Sequence, residues 1–434
     1  MGFRDYLQKL EKSHKLQKIS ASVSKHLEAS GILKAIEPKA VLFEKIKESN
    51  FKVAGNVFPT KDSIADYVGC ETSELISTIN KAISNMKAPE ETKNAKCQEV
   101  VEEIVDLDKL PILFHCAHDG GNYISSGIVV SKDKEFGQNL DFHRMMQIGK
   151  NKFSVRIVKE RNFDTFLKKN GEMDIAVCIG NGANVLVAAA TSIEIGKNEL
   201  GIANALEPLT VTRAKTSDLL IPSDCEFVIE GRIVLEEKAN EGPFVDLTET
   251  LDVVRQEPVL TVKKITHRKD AIWQALLPGA LEHKVLMGMP REPTIFKKVN
   301  EAGVKCIDVN VNPGGCSWLH AIVKIDKQNE DDGKKAIDAA FEGHKSCKHI
   351  FIVDKDIDIY NPLDVEWAMA TRFQADVDFK MKAREKGSSL DPSADPETHF
   401  TTKCGLDCTA SLQVKGKNFS KEPFPQVDLK KYLK

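Results

Sequence analysis

The sequence lacks the features that mark membrane, secreted and lipid-anchored proteins. No run approaches the roughly 18 consecutive apolar residues that a membrane-spanning helix needs. The N-terminus has no apolar core of the signal-peptide kind, and Tyr6 stands where N-myristoylation requires Ser or Thr. We therefore expect a cytoplasmic location and no membrane partner.

An excess of charge of one sign is also lacking. The chain has 61 Lys and Arg against 64 Asp and Glu, a formal net charge of −3 over 434 residues. This balance gives no global reason to expect nucleic acid as a partner. A local basic pocket is still compatible with it.

Several common motifs are missing. The ten cysteines include no CxxC pair, so neither a zinc knuckle nor a thioredoxin-type site is indicated, and we expect reduced, mostly buried thiols. There is no Walker loop, GxGxxG, HExxH or GxSxG. The sequence therefore does not indicate P-loop nucleotide hydrolysis, dinucleotide binding, zincin chemistry or α/β-hydrolase chemistry.

The length predicts more than one domain, because single cores rarely grow this large. Residues 1–104 alternate short helical and strand patterns, residues 105–300 are rich in strand patterns, and residues 301–434 return to α/β. We predict an α/β multidomain fold with an N-terminal α/β domain, a central split β-barrel and a C-terminal α/β domain that ends in a loosely packed tail.

Local patterns give more specific predictions. The first residues form an amphipathic helix with an apolar face of Phe3, Tyr6, Leu7 and Leu10. Strands are predicted at 40–46, 51–58 and 185–192, and helical segments at 60–69, 139–149 and 193–206. The segment 60–69 has Thr60 at its start, which is typical of a helix N-cap.

A polar cluster lies between residues 138 and 162. It offers Asn139, His143, Arg144, Arg156, Lys159 and Arg161. Guanidinium groups bind phosphate in a bidentate manner, so Arg156 together with Lys159 on a strand would suit a phosphate. A solvated basic surface explains the same residues, and the sequence leaves both interpretations open.

Three further positions could carry chemistry. Glu241 and Asp246 flank a Gly-Pro turn that can bring two carboxylates together opposite one cation, and the pKa values of such a pair diverge. Glu199 precedes an apolar helix. It could be a metal ligand, or it could be an acid that the helix dipole favours at this position. Lys403 lies among small residues and could reach a phosphate. An acidic turn and a surface lysine are the plainer alternatives.

Taken in their order along the chain, these clusters resemble those of the UbiD family of prenylated-FMN-dependent decarboxylases. The resemblance runs over nearly the whole chain, through RDYLQKLE, GGNYISSGIVVSKD, NLDFHR, NELGIANAL, NEGPFVD, DKDIDIYNPLDVEWAMATR and KCGLDCT. It implies that the central barrel binds the flavin and that the C-terminal domain mediates homo-oligomerisation, as a dimer or hexamer.

The resemblance also assigns roles to residues. The catalytic trio would be Arg144, Glu241 and Asp246, with Asp246 as proton donor. The metal ligands would be Asn139, Glu199 and Asn162. The cofactor would be lined by Phe142, His143, Arg144, Arg156, Ile157, Val158, Arg161 and Asn162, with Lys403 on its phosphate.

Two positions depart from the family pattern. Asn162 stands where the family commonly has a His ligand, although amide oxygens suit Mn²⁺ or Mg²⁺. His143 stands where Ala or Tyr is frequent before the catalytic arginine. These departures leave the metal geometry and the substrate pocket open, and whether a monovalent ion such as K⁺ also binds is open as well.

The implied reaction is non-oxidative removal of CO₂ from an unsaturated acid, with a flavin prenyltransferase supplying the cofactor. The chain most resembles the archaeal branch that converts trans-anhydromevalonate 5-phosphate to isopentenyl phosphate in isoprenoid biosynthesis. A phosphorylated substrate would engage cations around His143, Lys159 and Arg161. The alternatives are decarboxylation of 4-hydroxy-3-polyprenylbenzoate or another aromatic acid, and a non-catalytic flavin-binding scaffold.

Overall fold

A computed structural model of the protein describes residues 1–414 and 418–432. The chain forms two compact units. Unit 1 comprises Met1–Pro293, Val311–Trp318 and Ser388–Pro396. Unit 2 comprises Thr294–Asn310, Leu319–Gly387 and the described residues from Glu397 onward. The boundaries predicted from the sequence at 104/105 and 300/301 stay predictions.

Unit 1 contains two main sheets and their covering helices. Its strands are β1 (Leu16–Val23), β2 (Ala40–Ile46), β3 (Lys52–Gly55), β4 (Glu90–Glu91), β5 (Val100–Val101), β6 (Tyr123–Ile124), β7 (Ile128–Asp133), β8 (Gly137–Phe142), β9 (Met145–Gly149), β10 (Lys152–Val155), β11 (Glu172–Ile179), β12 (Thr210–Arg213), β13 (Leu220–Pro222), β14 (Phe227–Glu241), β15 (Phe244–Val245), β16 (Leu251–Asp252), β17 (Arg255–His267) and β18 (Ile272–Ala275). Its helices are α1 (Phe3–Lys12), α2 (Glu28–Ala35), α3 (Lys61–Val68), α4 (Leu75–Ser84), α5 (Asn162–Asn170), α6 (Ala183–Ala190), α7 (Leu200–Leu206) and α8 (Leu281–Gly288).

The large sheet of unit 1 is antiparallel, in the order β6-β9-β10-β17-β14-β11-β7-β8, with β5 paired to β17. The smaller sheet has the order β1-β2-β3-β18. Within the described chain β6 and β8 end the large sheet and do not pair with each other. The long partners β14 and β17 run side by side from Phe227↔His267 to Glu241↔Arg255, which carries Glu241 to one end of the sheet.

Both faces of the large sheet are buried. Because side chains alternate along a strand, neighbouring residues of β11 enter different apolar clusters. Ala176 and Cys178 pack in the cluster that includes α6 and α7, whereas Ile175 and Val177 pack in the cluster that includes α5. This arrangement fixes the register of the sheet, because a slip of one residue would exchange the two faces.

Two predictions about local structure are wrong. Residues 139–149 form β8, a short connection and β9, because Leu140 is buried in the sheet and pairs with Val130, so that strand pairing overrides the apparent helical pattern. Residues 185–192 are mostly helix α6, because a short, fully apolar run has no period that separates a buried helix from a strand. Within 193–206, only Leu200–Leu206 is helical.

Other local predictions are confirmed. Helix α1 buries Phe3, Tyr6, Leu7 and Leu10, and Thr60 caps α3 by accepting from the backbone N–H of Ser63. Residues 40–46 form β2, and the second predicted strand is present as β3. No helix among the described residues is long and apolar enough to cross a membrane.

Unit 2 is a five-stranded mixed sheet with helices on both faces. Its strands are β19 (Cys306–Asn310), β20 (His320–Ile325), β21 (His349–Asp354), β22 (Phe379–Lys386) and β23 (Phe400–Cys408), in the order β19-β20-β21-β23-β22. Its helices are α9 (Glu292–Glu301, which starts in unit 1), α10 (Asp332–Gly343), α11 (Pro362–Arg372) and α12 (Ala375–Asp378). Gly405 faces Ile337 of α10, whereas its neighbour Leu406 packs in the cluster that contains α11. The predicted tail falls partly outside the described residues, at 415–417 and 433–434.

Candidate active site

One guanidinium group, that of Arg144, contacts three carboxylates. Its Nε and Nη2 donate to Oε1 and Oε2 of Glu241 at 2.9 and 3.0 Å. Its Nη1 donates to Oδ2 of Asp246 in a short contact, and its Nη2 donates to Oδ2 of Asp252 at 2.8 Å. The guanidinium carbon also lies 4.6 Å from the centroid of the Phe244 ring. Sequence reasoning predicted the first three residues of this cluster and missed Asp252.

The local fold explains why these side chains meet. Arg144 occupies the connection between β8 and β9, where its carbonyl accepts from the backbone N–H of Arg156 at 3.1 Å. Glu241 ends β14, is fully buried, and is the register partner of Arg255. Asp246 follows β15, and Asp252 ends β16, which pairs with β15 in a short ribbon.

Electrostatics keep Arg144 and Asp252 charged. Burial alone would lower the pKa of Arg144, but Glu241, Asp246 and Asp252 together raise it above the ordinary value. Burial alone would raise the pKa of Asp252, but Arg255 and Arg144 lower it to about 2. The arrangement can therefore hold a substrate carboxylate at a fixed cation and place acid groups beside it.

The three predicted metal ligands lie near one another. The side chain of Asn139 is buried in β8, and its Oδ1 accepts from Nδ2 of Asn162 at 3.0 Å. Glu199 immediately precedes α7, and its Oε2 accepts from the backbone N–H of Leu140 at 2.9 Å. Glu199 thus meets the strand at the residue next to Asn139.

The donors in this cluster fit an oxygen-binding cation. Burial raises the pKa of Glu199 to about 8. The Nδ2 atom of Asn139 is buried and has no hydrogen-bond partner among the residues that the structure describes. No three His, Cys, Asp or Glu side chains in residues 1–414 and 418–432 are grouped to hold a metal. A cation here would therefore need amide oxygens, which suit Mg²⁺ or Mn²⁺.

The segments predicted to line a cofactor run side by side. Nδ1 of His143 lies 2.9 Å from the carbonyl oxygen of Arg156, and its Nε2 lies 3.0 Å from Oδ1 of Asp141. Burial lowers the pKa of His143, but Asp141 outweighs this effect and raises it overall. Arg156 follows the end of β10 and donates to Glu257 at 2.9 Å. Of the remaining predicted lining residues, Phe142 is partly buried, Ile157 is buried and Val158 is 54% exposed.

Two cationic side chains converge on the hydroxyl of Ser192. Nη1 of Arg161 lies 3.5 Å and Nη1 of Arg291 lies 3.1 Å from Oγ of Ser192. Burial, and to a smaller extent the charge of Arg161, lower the pKa of Arg291 to about 10. The two like charges lie close together because both guanidiniums reach the hydroxyl of Ser192. Such a pair is suited to an anion with several acceptor oxygens. Sequence reasoning named Arg161 and missed Arg291, which lies about 130 residues further along the chain.

Lys403 and Lys159 lie in different surroundings. Lys403 is buried in β23 of unit 2, and its ammonium donates to the carbonyl of Lys345 in a short contact. Burial lowers its pKa. Lys159 is exposed, and both Arg156 and Lys159 follow the end of β10, so neither lies on a strand as predicted.

Comparison with known families defines the class of this protein. The chain matches the N-terminal, Rift-related and C-terminal domains of 3-octaprenyl-4-hydroxybenzoate carboxy-lyase over residues 7–83, 89–281 and 284–408. The chain belongs to the UbiD family.

Two curated relatives share most of its length. It is 39% identical over 401 residues to the anhydromevalonate phosphate decarboxylase of Methanothermobacter thermautotrophicus, covering 91% of this chain and 94% of that protein. It is 38% identical over 433 residues to the protein of the same name from Methanosarcina mazei, covering 98% of this chain and 100% of that one. The resemblance found in the sequence is confirmed.

A solved relative has the same fold along its whole length. The UbiD-class enzyme HmfF from Pelotomaculum thermopropionicum, in complex with FMN, superposes with a TM-score of 0.96 at 30% identity and covers 100% of both chains. An evolved dimeric form of HmfF in complex with prenylated FMN gives a TM-score of 0.92 at 29% identity, again over 100% of both chains. The predicted mixed α/β multidomain fold is confirmed.

Proposed function

We propose that this protein is a prenylated-FMN-dependent decarboxylase that converts trans-anhydromevalonate 5-phosphate to isopentenyl phosphate. The observation that carries the proposal is the guanidinium of Arg144 held against Glu241 and Asp246 in a chain of this family. The names of the curated relatives support the substrate. An intact acid–cation cluster also argues against a non-catalytic scaffold.

Arg144 is arranged to hold the substrate carboxylate. A guanidinium has five N–H donors, and four of those of Arg144 are used by Glu241, Asp246 and Asp252. The remaining N–H, on Nη1, has no partner within the described residues and lies on the nitrogen that contacts Asp246. A carboxylate bound there would lie next to the group that later donates a proton.

The protein residues supply binding and protonation. Breaking the bond to the carboxylate releases CO₂ and leaves an electron pair on an unsaturated carbon. A protonated Asp246 then donates the proton that forms the new C–H bond, and it regains a proton from water. Glu241, fully buried and bidentate to Arg144, keeps the guanidinium oriented. When bound, a prenylated flavin supplies the electron sink that no side chain provides.

Asn139 and Glu199 would hold a divalent cation against the cofactor phosphate, with Asn162 as the third candidate. Mn²⁺ or Mg²⁺ would neutralise charge that the buried carboxylate otherwise leaves uncompensated. The supply of the cofactor by a flavin prenyltransferase, binding of K⁺ and homo-oligomerisation belong to the same proposal. Phe142, His143, Arg156, Ile157 and Val158 would line the flavin, and Lys403 would contact its phosphate.

Arg161, Ser192 and Arg291 support a phosphorylated substrate. The pair of guanidiniums is suited to a phosphate, and a hydrogen bond to a charged group contributes about 1.5–3 kcal/mol. Lys159 and Arg161 are exposed, so they are accessible to a ligand. A phosphate on the substrate and the phosphate of the flavin are the two sources of such an anion.

The test is release of CO₂ from a panel of acids by protein reconstituted with prenylated FMN and Mn²⁺. We expect turnover of the phosphorylated acid to exceed that of its dephosphorylated form by at least tenfold, because a lost charge-assisted contact of about 1.5–3 kcal/mol corresponds to roughly 10- to 150-fold. Equal rates on the two acids, or a preference for a hydroxybenzoic acid, would favour the aromatic-acid alternative.

Asp246→Asn serves as the inactive reference in this assay. It should keep the flavin absorbance and lose turnover by about 10²–10⁴-fold, the usual contribution of a positioned acid. Near-normal turnover of this variant would remove Asp246 from the mechanism.

A further inference from the structure

Asp252 contacts the same guanidinium as the two carboxylates of the predicted trio. Its Oδ2 accepts from Nη2 of Arg144 at 2.8 Å, and its side chain is 14% exposed. The same oxygen lies 2.6 Å from Nη1 of Arg255. Asp252 is therefore shared by two guanidiniums, whereas the only guanidinium that pairs with Asp246 among the described residues is that of Arg144. The other carboxylate oxygen of Asp246, Oδ1, accepts from the backbone N–H of Leu247 at 2.6 Å.

The charges of this cluster balance only when one acid holds a proton. Two guanidiniums, those of Arg144 and Arg255, face the three carboxylates of Glu241, Asp246 and Asp252. With all three ionised, the cluster carries one uncompensated negative charge in a partly buried place, which is costly. One protonated carboxyl group removes that charge.

Asp246 is the best placed of the three to hold the proton. Asp252 is shared by two cations, which lower its pKa to about 2. Glu241 is fully buried and bidentate to Arg144, so a proton there would break two charge-assisted hydrogen bonds. Asp246 makes a single hydrogen bond with Arg144, so a proton on Asp246 would break only that one charge-assisted hydrogen bond.

Other charged groups around Asp246 do not change this balance. His283 lies on α8, and burial lowers its pKa. Lys284 pairs with Glu249, which lies at the tip of the β15–β16 ribbon. Asp119 accepts from the backbone N–H groups of Val245 and Cys116, and burial raises its pKa. His283 is therefore neutral near pH 7, and the charge of Lys284 is compensated.

We propose that Asp252, supported by Arg255, is a positioning residue that keeps Arg144 in place and keeps the proton on Asp246 before it is transferred. When Asp246 is protonated, its ion pair with Arg144 weakens, and Asp252 together with Glu241 still fixes the guanidinium. The negative charge of Asp252 lies on the same guanidinium that Asp246 contacts. This inference rests on the proposed decarboxylase function.

The test compares pH profiles of kcat for Asp252→Asn and Arg255→Gln. Activity needs protonated Asp246, so it falls as the pH rises and that carboxyl group ionises. Removing the negative charge of Asp252 should move this basic limb to lower pH, by about one unit for a like charge at close range. Removing the positive charge of Arg255 should move it to higher pH.

Thr248→Val is the matched control, since it removes the hydroxyl contact between Thr248 and Thr250 at the tip of the same ribbon without changing any charge or touching Arg144. Its basic limb should stay where it is in the unaltered enzyme. Flavin absorbance and unfolding temperature are measured for all variants. The activity that Asp252→Asn loses should be recovered at lower pH, and the amount of bound flavin should be unchanged.

Two results would overturn the inference. One is a loss of activity in Asp252→Asn that is equal at every pH, and the other is a shift in the same direction for Asp252→Asn and Arg255→Gln. Either would assign Asp252 a purely structural role. Failure of the unaltered enzyme to release CO₂ from any acid of the panel would instead contradict the proposed function, and the two failures are thus distinguishable.

Discussion

At the scale of single residues, the site contains a buried carboxylate, that of Glu199, which pairs with no cation among the described residues. Glu199 is 2% exposed, and the largest influence on its pKa is burial. Its described hydrogen bonds include the N–H of Leu140, which partly compensates a carboxylate but supplies no positive charge. A buried carboxylate of this kind is stabilised when a cation binds beside it.

This observation gives a prediction for Glu199→Gln. The amide keeps an acceptor for the N–H of Leu140 but removes the charge, so we expect divalent metal to bind at least about tenfold more weakly, with loss of flavin after dialysis. Elemental analysis for Mn and the flavin absorbance measure the two effects. Glu194→Gln, at an 82% exposed side chain in the same segment, is the control and should retain both. Stoichiometric metal in Glu199→Gln would refute the ligand assignment.

At the scale of elements, the segment 119–123 holds the strand end that carries Glu241. Asp119 accepts from the backbone N–H of Val245 at 3.0 Å, and the hydroxyl of Tyr123 accepts from the N–H of Gly242 at 3.0 Å. The N–H of Gly120 donates to the carbonyl of Pro243 at 2.7 Å. The acids of the site are therefore positioned by a neighbouring loop as well as by their own sheet.

Gly120→Ala tests this packing. A Cβ at Gly120 would lie 2.2 Å from the carbonyl oxygen of Gly242, a backbone atom that cannot turn away. We expect the variant to lose about 1–3 kcal/mol of unfolding free energy and to lower kcat by about 10²-fold through displacement of Glu241. Chemical denaturation and the decarboxylation assay measure the two quantities.

Gly121→Ala is the matched control for Gly120→Ala. Its Cβ would meet Cγ of Met146 at 3.2 Å, and that flexible side chain can adjust. The control should unfold and turn over nearly as the unaltered protein does. Equal behaviour of the two alanine variants would show that the 119–123 loop does not position the site.

The sequence predicted elements well where the pattern was local. Helix α1 and the cap at Thr60 follow from residues a few positions apart, and both are present. Helix α6 was missed because a fully buried apolar run has the same composition in a helix and in a strand. The strands at 139–149 depend on pairing with β7 and β10, which no local pattern contains.

At the scale of the whole molecule, the site was predictable where the family resemblance supplied a motif. Glu241 and Asp246 are five residues apart and meet Arg144 as expected, although their roles stay predictions. Asp252 and Arg291 were missed because their contacts depend on a ribbon and on a distant helix boundary. Physical contacts of this kind are set by tertiary structure, and spacing along the chain does not reveal them.

The exposed apolar residues near the end of the described chain bear on the predicted homo-oligomer. Phe424 is 93% exposed, and Val427, Leu429 and Tyr432 are 60%, 58% and 72% exposed. Just before them, the chain is held to α11, because Arg372 donates to the carbonyl of Phe419 at 2.7 Å. Apolar residues that a single chain leaves in water are typical of surfaces that a partner covers.

We therefore predict that a chain ending at residue 422 forms a smaller assembly than the full chain does. The truncation removes the four exposed apolar residues and keeps the contact of Phe419 with Arg372, so the unfolding temperature of the subunit should change little. Light scattering after size-exclusion chromatography measures the mass. The control is the full chain with Lys430→Gln and Lys431→Gln, which alters exposed charges of the same segment and should leave the mass unchanged. An unchanged mass of the truncated chain would place the association surface elsewhere, because removal of apolar area that a partner buries must weaken association.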